Sequence, residues 1–222
     1  ASEALNRGKI MLNGSGASGL RADGTSLAVN TGIIESLQDT LGAYYEDVQG
    51  MVVTNGASIE NTGIITLNGN SSTGIYNNNG DVNMTAGSIT VSGNQSVGVY
   101  SKDSSSSTLI SGGVIEAKGN ADGSAVTLFA ENSTIKIDNG ALLKTSDNGI
   151  LFYTSFSGTA PTGNFDLVSG VIQAEIGADG IGFYHIGDSS DSGIQTFLNT
   201  LLTGSGTLDV TLTDQSSKLF VI

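Results

Sequence analysis

Serine, aspartate and histidine occur close together near the C-terminal end, where His185 is followed by Gly187-Asp188-Ser189-Ser190. These are the residue types of a nucleophilic triad, in which histidine takes the serine proton and a carboxylate orients the histidine. A triad needs groups that converge from separate elements, whereas His185 lies only three residues before Asp188. We therefore expect no protease chemistry from this motif.

Carboxylates are the second group that could do chemistry, because paired Asp and Glu residues act as acid and base in glycoside hydrolysis. Glu116, Asp138 and Asp166 are spread along the chain, and the only arginines, Arg7 and Arg21, lie near its start. Carboxylates on neighbouring strands could still converge. We predict a non-catalytic protein and keep a polysaccharide-degrading lyase or hydrolase as the alternative.

Metal and cofactor ligands are sparse. The chain has no cysteine and a single histidine, His185, which is too little for a thiolate or imidazole metal site. Pairs such as Asp81 and Asn83 offer too few oxygens for calcium. We expect neither a metal nor a cofactor.

Acidic and aromatic residues that could bind a partner are concentrated in one segment and in one repeated pair. The segment contains Asp39, Tyr44, Tyr45, Glu46 and Asp47. The pair is Tyr76 and Tyr100, which follow Gly74-Ile75 and Gly98-Val99 and are separated by 24 positions. These rings are either a sugar- or protein-binding strip or a stabilising stack.

These residues lie within a sequence repeat that begins at a glycine and recurs along nearly the whole chain. Its glycines stand 24 to 36 residues apart, at Gly8, Gly32, Gly63, Gly87, Gly113, Gly140, Gly170 and Gly206. A large aliphatic follows two positions after each, at Ile10, Ile34, Ile65, Ile89, Ile115, Leu142, Ile172 and Leu208. Internal periods of this size indicate a solenoid or another repeat architecture.

Within each repeat, apolar and small polar residues alternate, which predicts short strands and no long helix. Three strands with turns fit the period, so we predict an all-β fold, a parallel β-helix solenoid of about eight coils. Two more columns should face inward: Leu20, Ile75, Val99, Val126, Ile150 and Ile181, and Leu27/Val29, Ile59, Val82/Met84, Leu109, Ile135/Ile137 and Phe165/Leu167.

Three segments interrupt the repeat, at 36–50, 152–163 and 185–205. Insertions of this kind often form the binding face of a solenoid. The third should hold one short helix that begins at a capping box formed by Ser192 and Gln195, covers the coils with an apolar face and ends at Gly204. Residues 1–222 should form a single β-helix segment excised from a longer chain. Deleting residues 36–50 is predicted to leave a folded rod that binds its partner less well.

Composition narrows the class of partner. Among 222 residues there are 32 Gly and one Pro, and eight basic against 21 acidic residues give a net charge of −13. Such a surface repels nucleic acid and favours solubility and cationic partners. Apolar runs are too short for a membrane span. We expect a monomer that does not bind nucleic acid and has no membrane span within this segment.

Residues 61–76 contain Asn-Thr-Gly-Ile-Ile-Thr-Leu-Asn-Gly followed by Ser-Thr-Gly-Ile-Tyr, and residues 87–100 repeat the pattern as Gly-Ser-Ile-Thr-Val-Ser-Gly followed by Ser-Val-Gly-Val-Tyr. This pattern resembles the passenger repeats of giant fusobacterial type V autotransporter adhesins, the RadD-like proteins. The resemblance covers residues 1–184 and is weaker over 185–222. It implies a right-handed parallel β-helix, exported through an outer-membrane barrel and displayed as an extracellular passenger on the cell surface.

The resemblance also implies adhesion to a host or bacterial cell-surface protein or glycan, and the family has no shared catalytic residues. The leading expectation is thus an adhesin segment, with solenoid-borne loops, chiefly Asp39–Asp47, as contacts and a role in virulence. A passive structural stalk is a further alternative.

Overall fold

Alternating apolar residues place three short strands in each repeat, and a computed structural model of the chain describes residues 2–186 and 190–222. The strands, numbered along the chain, are β1 (Glu3–Asn6), β2 (Lys9–Leu12), β3 (Ser18–Asp23), β4 (Leu27–Asn30), β5 (Ile33–Ser36), β6 (Gln49–Thr54), β7 (Ser58–Asn61), β8 (Ile64–Leu67), β9 (Thr73–Asn78), β10 (Asp81–Met84), β11 (Ser88–Ser92), β12 (Val97–Lys102), β13 (Ser107–Ile110), β14 (Gly113–Lys118), β15 (Val126–Glu131), β16 (Thr134–Ile137), β17 (Ala141–Ser146), β18 (Ile150–Thr154), β19 (Phe156–Ser157), β20 (Ala160–Pro161), β21 (Asn164–Leu167), β22 (Val171–Ile176), β23 (Ile181–Tyr184), β24 (Leu202–Gly204), β25 (Thr207–Leu212) and β26 (Lys218–Val221). One helix, α1 (Asp191–Leu201), precedes β24.

Successive windings of the chain pair their equivalent strands in parallel. Within the described residues, the first sheet runs β1-β4-β7-β10-β13-β16-β21-β24, the second β2-β5-β8-β11-β14-β17-β22-β25 and the third β3-β6-β9-β12-β15-β18-β23-β26. Each sheet has eight strands, so six windings lie between two others and the two terminal windings have one open side. The predicted parallel β-solenoid is confirmed.

Aliphatic columns fill the interior, as the repeat predicts. Ile65 pairs with Ile89, and Ile89 pairs with Ile115, and all three side chains are fully buried. The prediction for the next winding is wrong by one residue, because Leu143 pairs with Ile115 while Leu142 lies on the outer face. In that winding Gly113 pairs with Ala141 rather than with Gly140, so the anchor glycine comes one position early.

The second predicted column combines residues from two different columns of the structure. Val126, Ile150 and Ile181 stack in register with Val97, two positions before the core column. The core column of the third sheet is instead Leu20, Met51, Ile75, Val99, Leu128, Phe152, Phe183 and Phe220. Both columns carry apolar side chains over these windings, so hydropathy alone did not show which column faces the core.

The first sheet corrects three predicted core positions. Ala28 and Thr108 face the interior in place of Leu27/Val29 and Leu109, and both are buried. Thr108 is accommodated there because its hydroxyl accepts a hydrogen bond from Asn77 Nδ2 (2.9 Å) and donates one to Ser101 Oγ (3.1 Å). A buried polar group with both bonds made carries little penalty.

Asparagine forms a second kind of buried column at the corner between the first and second sheets. Asn6 Nδ2 donates to Asn30 Oδ1, and Asn30 Nδ2 donates to Asn61 Oδ1, each at 2.8 Å. The next position in register is Met84, which offers no oxygen. Asn61 Nδ2 accordingly has no hydrogen-bond partner among the described residues.

The predicted insertions are shorter than their sequence bounds, because the flanking strands extend into them. The first occupies 37–48, between β5 and β6; the second occupies 155–163, between β18 and β21; the third occupies 185–201. The second contains the antiparallel hairpin β19–β20. The second and third leave the solenoid at equivalent corners of consecutive windings, where the third sheet leads back to the first.

Helix α1 covers the solenoid as predicted, but both of its predicted ends are wrong. Its N-cap is Ser190, whose side chain accepts from Gly193 N, rather than Ser192, and its C-cap is Leu202 rather than Gly204. Phe197 and Leu201 are buried, and the Phe197 ring lies 4.4 Å from the His185 ring and 6.4 Å from that of Phe156. No helix in the described chain is long and apolar enough to cross a membrane.

Candidate functional site: an aromatic strip on the third sheet

Five aromatic side chains occupy one outward position of the third sheet in five consecutive windings: Tyr76, Tyr100, Phe129, Tyr153 and Tyr184. We call this column the aromatic strip. The residues on either side of a ring, such as Ile75 and Asn77, are fully buried, so the rings point outward by the alternation of a strand. All five rings are partly exposed.

The rings of the strip contact one another in a regular order. Tyr100 and Phe129 stack in parallel, with centroids 4.5 Å apart and an interplanar angle of 6°. Tyr76 and Tyr153 flank this pair at 5.2 Å, tilted by 67° and 65°. Each flanking ring therefore makes a T-shaped contact with the nearer ring of the central stack. Tyr184 continues the strip 6.3 Å beyond Tyr153.

Tyr100 is fixed by a polar contact beside the strip. Its hydroxyl donates a hydrogen bond to Glu131, whose carboxylate lies 3.6 Å from Lys102 Nζ. Burial raises the pKa of Tyr100 above its ordinary value, and the hydrogen bond to the Glu131 carboxylate raises it further. The Tyr100 hydroxyl is therefore protonated at neutral pH, and its ring orientation is set before any ligand arrives.

A groove runs beside the strip because the strands of the third sheet face inward at two successive positions. A Cβ on Gly98 would lie 2.8 Å from Cγ2 of Ile115 in the core, and the next residue, Val99, is also fully buried. The outward residues on either side, Val97 and Tyr100, are thus set apart. A cavity of about 480 Å³ lies here, lined by Gln95, Val97, Ser124, Val126, Phe129, Ile150, Tyr153 and Tyr184.

The predicted loop residues are placed in the insertion 37–48, where most are used internally. Asp39 Oδ1 accepts from Leu41 N (2.8 Å) and Ala43 N (3.0 Å), which closes the loop tip. Leu41, at 91% exposure, is the most exposed apolar residue of that tip. The loop is therefore a hairpin-like turn, with Gln38 and Tyr44 paired antiparallel at its base.

The other predicted loop residues are anchored to the solenoid. Glu46 Oε1 accepts from Asn70 Nδ2 (2.9 Å), and the Asp47 backbone N–H donates to the Asn70 carbonyl (3.0 Å). Tyr45 packs against the core, whereas Tyr44 is 39% exposed. Of the seven predicted binding residues, the structure places Tyr76 and Tyr100 in direct ring contact and the remaining five in this separate loop.

The carboxylates that a hydrolase would need are mostly engaged with cations or hydroxyls. On the outer face of the second sheet, Glu175 pairs with Lys144 at 2.8 Å and Glu116 with Lys118 at 3.4 Å. The hydrogen bond to Glu175 raises the pKa of Lys144. Asp138 accepts from Ser169 Oγ at 2.6 Å, which lowers the pKa of that carboxyl.

Among residues 2–186 and 190–222, no cluster of three or more His, Asp or Glu side chains could hold a metal ion. His185 is buried against Phe197. Residues 187–189 of the triad-like motif lie outside the described part of the chain.

Sequence reasoning found two rings of the strip and missed Phe129, Tyr153 and Tyr184. It followed the glycine that stands two positions before Tyr76 and Tyr100. Thr127 and Leu151 replace that glycine before Phe129 and Tyr153, whereas Gly182 retains it before Tyr184, so Tyr184 was missed although the signal is present. A better signal is a β-branched residue three positions before each ring, at Thr73, Val97, Val126, Ile150 and Ile181. Those residues form the neighbouring outward column in the structure.

No protein-family model, curated protein or solved structure matches this chain.

Proposed function

We propose that this chain is a surface-exposed adhesion segment that binds its cellular partner without catalysis, through the aromatic strip. The observation that carries the proposal is the alignment of five outward rings on consecutive windings. Aromatic rings are large amphipathic contact groups that lose little conformational entropy on binding, and they are enriched where proteins meet their partners.

Rigidity of the support favours binding over a purely stabilising role. The rings stand on a sheet whose strands pair on both sides, and Tyr100 is held by Glu131. A ligand would therefore meet a preformed surface, which reduces the ordering cost of association. Display on the bacterial cell surface, at the outer membrane, follows from the resemblance to autotransporter passengers and belongs to the same proposal.

Cell binding by strip variants tests the proposal. Tyr76→Val and Tyr153→Val place in the strip the residue that Val52 and Val221 provide at equivalent positions of other windings. We expect the double variant to keep the fold and to lose most of its adherence to target cells. Tyr44→Val is the matched control, because it removes a tyrosine that lies outside the strip, and it should leave adherence unchanged.

A second comparison separates the strip from the insertion 37–48. Removing Asp39–Ala43 retains Tyr45 and Val48, which contact the core, and removes the exposed Leu41. Unchanged adherence of the strip double variant, together with loss of adherence in the shortened-loop variant, would contradict the proposal and assign binding to the loop. Adherence that survives both changes would contradict the proposal and place binding elsewhere on the segment, whereas a passive stalk would show no adherence even without any substitution.

A further inference from the structure

The chemical class of the ligand can be inferred from three features of the strip: the spacing of its rings, their tilt and the charge around them. Tyr76 and Tyr153 stand at the two ends of the central Tyr100–Phe129 stack, and the plane of each is steeply inclined to that stack. They stand three windings apart, which is about 14 Å along the axis at the usual strand spacing. A ligand that contacts both must be extended and must run parallel to the axis.

The groove provides the polar complement that such a ligand needs. Its walls are mainly apolar, and Gln95 and Ser124 supply an amide and a hydroxyl at one side. A few polar groups among aromatic and aliphatic walls are typical of sites that orient a small neutral ligand. Sugar rings fit this combination, because their C–H faces pack on the electron-rich faces of aromatic rings while their hydroxyl groups bond to amides and hydroxyls.

Charge decides between neutral and anionic glycans. The chain carries a net charge of −13, and the residues that line the groove carry no charge. The charged pair nearest the strip, Lys102 and Glu131, is held together at 3.6 Å. A polyanion would meet repulsion from the whole molecule with no cationic group in the groove to offset it.

We infer that the strip and its groove bind an uncharged polysaccharide chain, laid along the solenoid axis with its sugar faces against Tyr76 and Tyr153. This inference rests on the proposed function and adds the class of ligand. Because two separated rings share one chain, affinity depends on ligand length: an oligosaccharide too short to reach both rings contacts one of them, and a longer one gains from linkage.

The test is calorimetric titration of the purified chain with uncharged β-linked gluco-oligosaccharides of increasing length and with a uronic-acid oligomer of matched length. The dissociation constant should fall as the neutral chain lengthens and then level off. Tyr153→Val should weaken binding of the long oligosaccharide about tenfold, which corresponds to about 1.4 kcal/mol. Tyr44→Val, outside the strip, should bind as the unchanged protein does.

The Tyr76→Val variant provides the discriminating measurement. In this variant, long oligosaccharides should bind no more tightly than short ones, because one of the two ring contacts is gone. Tyr76→Phe, which retains the ring, should retain the length dependence. The β-sheet circular dichroism of Tyr76→Val should equal that of the unchanged protein, which distinguishes loss of a contact from a folding defect. An affinity independent of length, or tighter binding of the uronic-acid oligomer, would overturn the inference.

The two proposals fail in different ways. Loss of cell adherence in the strip double variant without saturable binding of any neutral oligosaccharide would overturn the ligand class and leave the adhesive strip standing. Retained adherence in that variant would overturn the proposed function itself, whatever the titrations show.

Discussion

Single side chains in this solenoid act through the equivalent side chains one winding away, and Tyr100 illustrates the consequence. Its ring stacks on Phe129, its hydroxyl bonds to Glu131 of the next winding, and its pKa is raised by burial and by that carboxylate. A tyrosine in an unfolded chain ionises near pH 10. The folded protein therefore retains a proton at a pH at which the unfolded chain has lost it.

The raised pKa of Tyr100 predicts that its contribution to the free energy of unfolding decreases at high pH. The stabilisation from Tyr100 is fully present below about pH 10 and is lost as pH rises from there toward the raised pKa of the folded state. We expect the free energy of unfolding to fall less steeply above pH 10 in Tyr100→Phe than in the unchanged protein, by at most about 1 kcal/mol per pH unit after solvent screening of this partly exposed group. Urea titrations at pH 8 and above pH 10 measure it, and equal slopes would contradict the assignment.

The asparagine column permits a comparison of two identical substitutions. Asn30 and Asn61 are both fully buried, but Asn30 takes part in two hydrogen bonds of the column and Asn61 in one. Asn30→Ala removes both bonds and leaves the Asn61 oxygen without its donor, which should cost about 3 kcal/mol. Asn61→Ala exchanges one unpaired donor for another and should cost about 1 kcal/mol. Urea denaturation ranks the two variants, and the opposite order would show that the column contributes no specific bonds.

At the scale of the strand, hydropathy predicted the three-strand winding but not every residue that faces inward. The repeat identified the column of Ile65, Ile89 and Ile115 because each stands two positions after an anchor glycine, and all three side chains are fully buried. It failed where both faces are apolar, so Val126 and Ile150 were assigned to the inward core column although they stand in the column that lines the groove. Phe129 and Tyr153 were missed because Thr127 and Leu151 replace the glycine that marks the bend of the third sheet before Tyr76 and Tyr100.

The glycines of that bend form a column of their own, with a testable role. A Cβ on Gly98 would lie 2.6 Å from the Thr127 carbonyl and 2.8 Å from Ile115 Cγ2. Gly98→Ala should therefore displace two strands and cost about 3 kcal/mol by overpacking. The control is Gly14→Ala, where nothing lies within 4 Å of the added carbon and φ is not positive. Thermal unfolding should separate the two variants clearly, and equal melting temperatures would show that the third sheet adapts freely.

Over the whole molecule, each winding contacts mainly its two neighbours. Strand pairing connects consecutive windings in all three sheets, and repeats of this kind have a stability close to a sum of unit and nearest-neighbour contributions. The aromatic strip follows the same plan, because it has one ring per winding and its length is set by the number of windings that carry a ring.

Removal of one complete winding tests this modular arrangement. Ile64 and Ser88 are partners in the second sheet, so deletion of Ile64–Gly87 joins Gly63 to the equivalent position one winding later. We expect a folded solenoid with the β-sheet circular dichroism of the parent, a lower urea midpoint and a strip shortened by Tyr76. Deletion of Ile64–Ile75 is the control: it removes half a winding, places strands of different sheets in register and should abolish the fold. If both deletions unfold the protein, the windings are not interchangeable units and the sum of nearest-neighbour contributions fails. If both fold alike, strand register does not specify this structure.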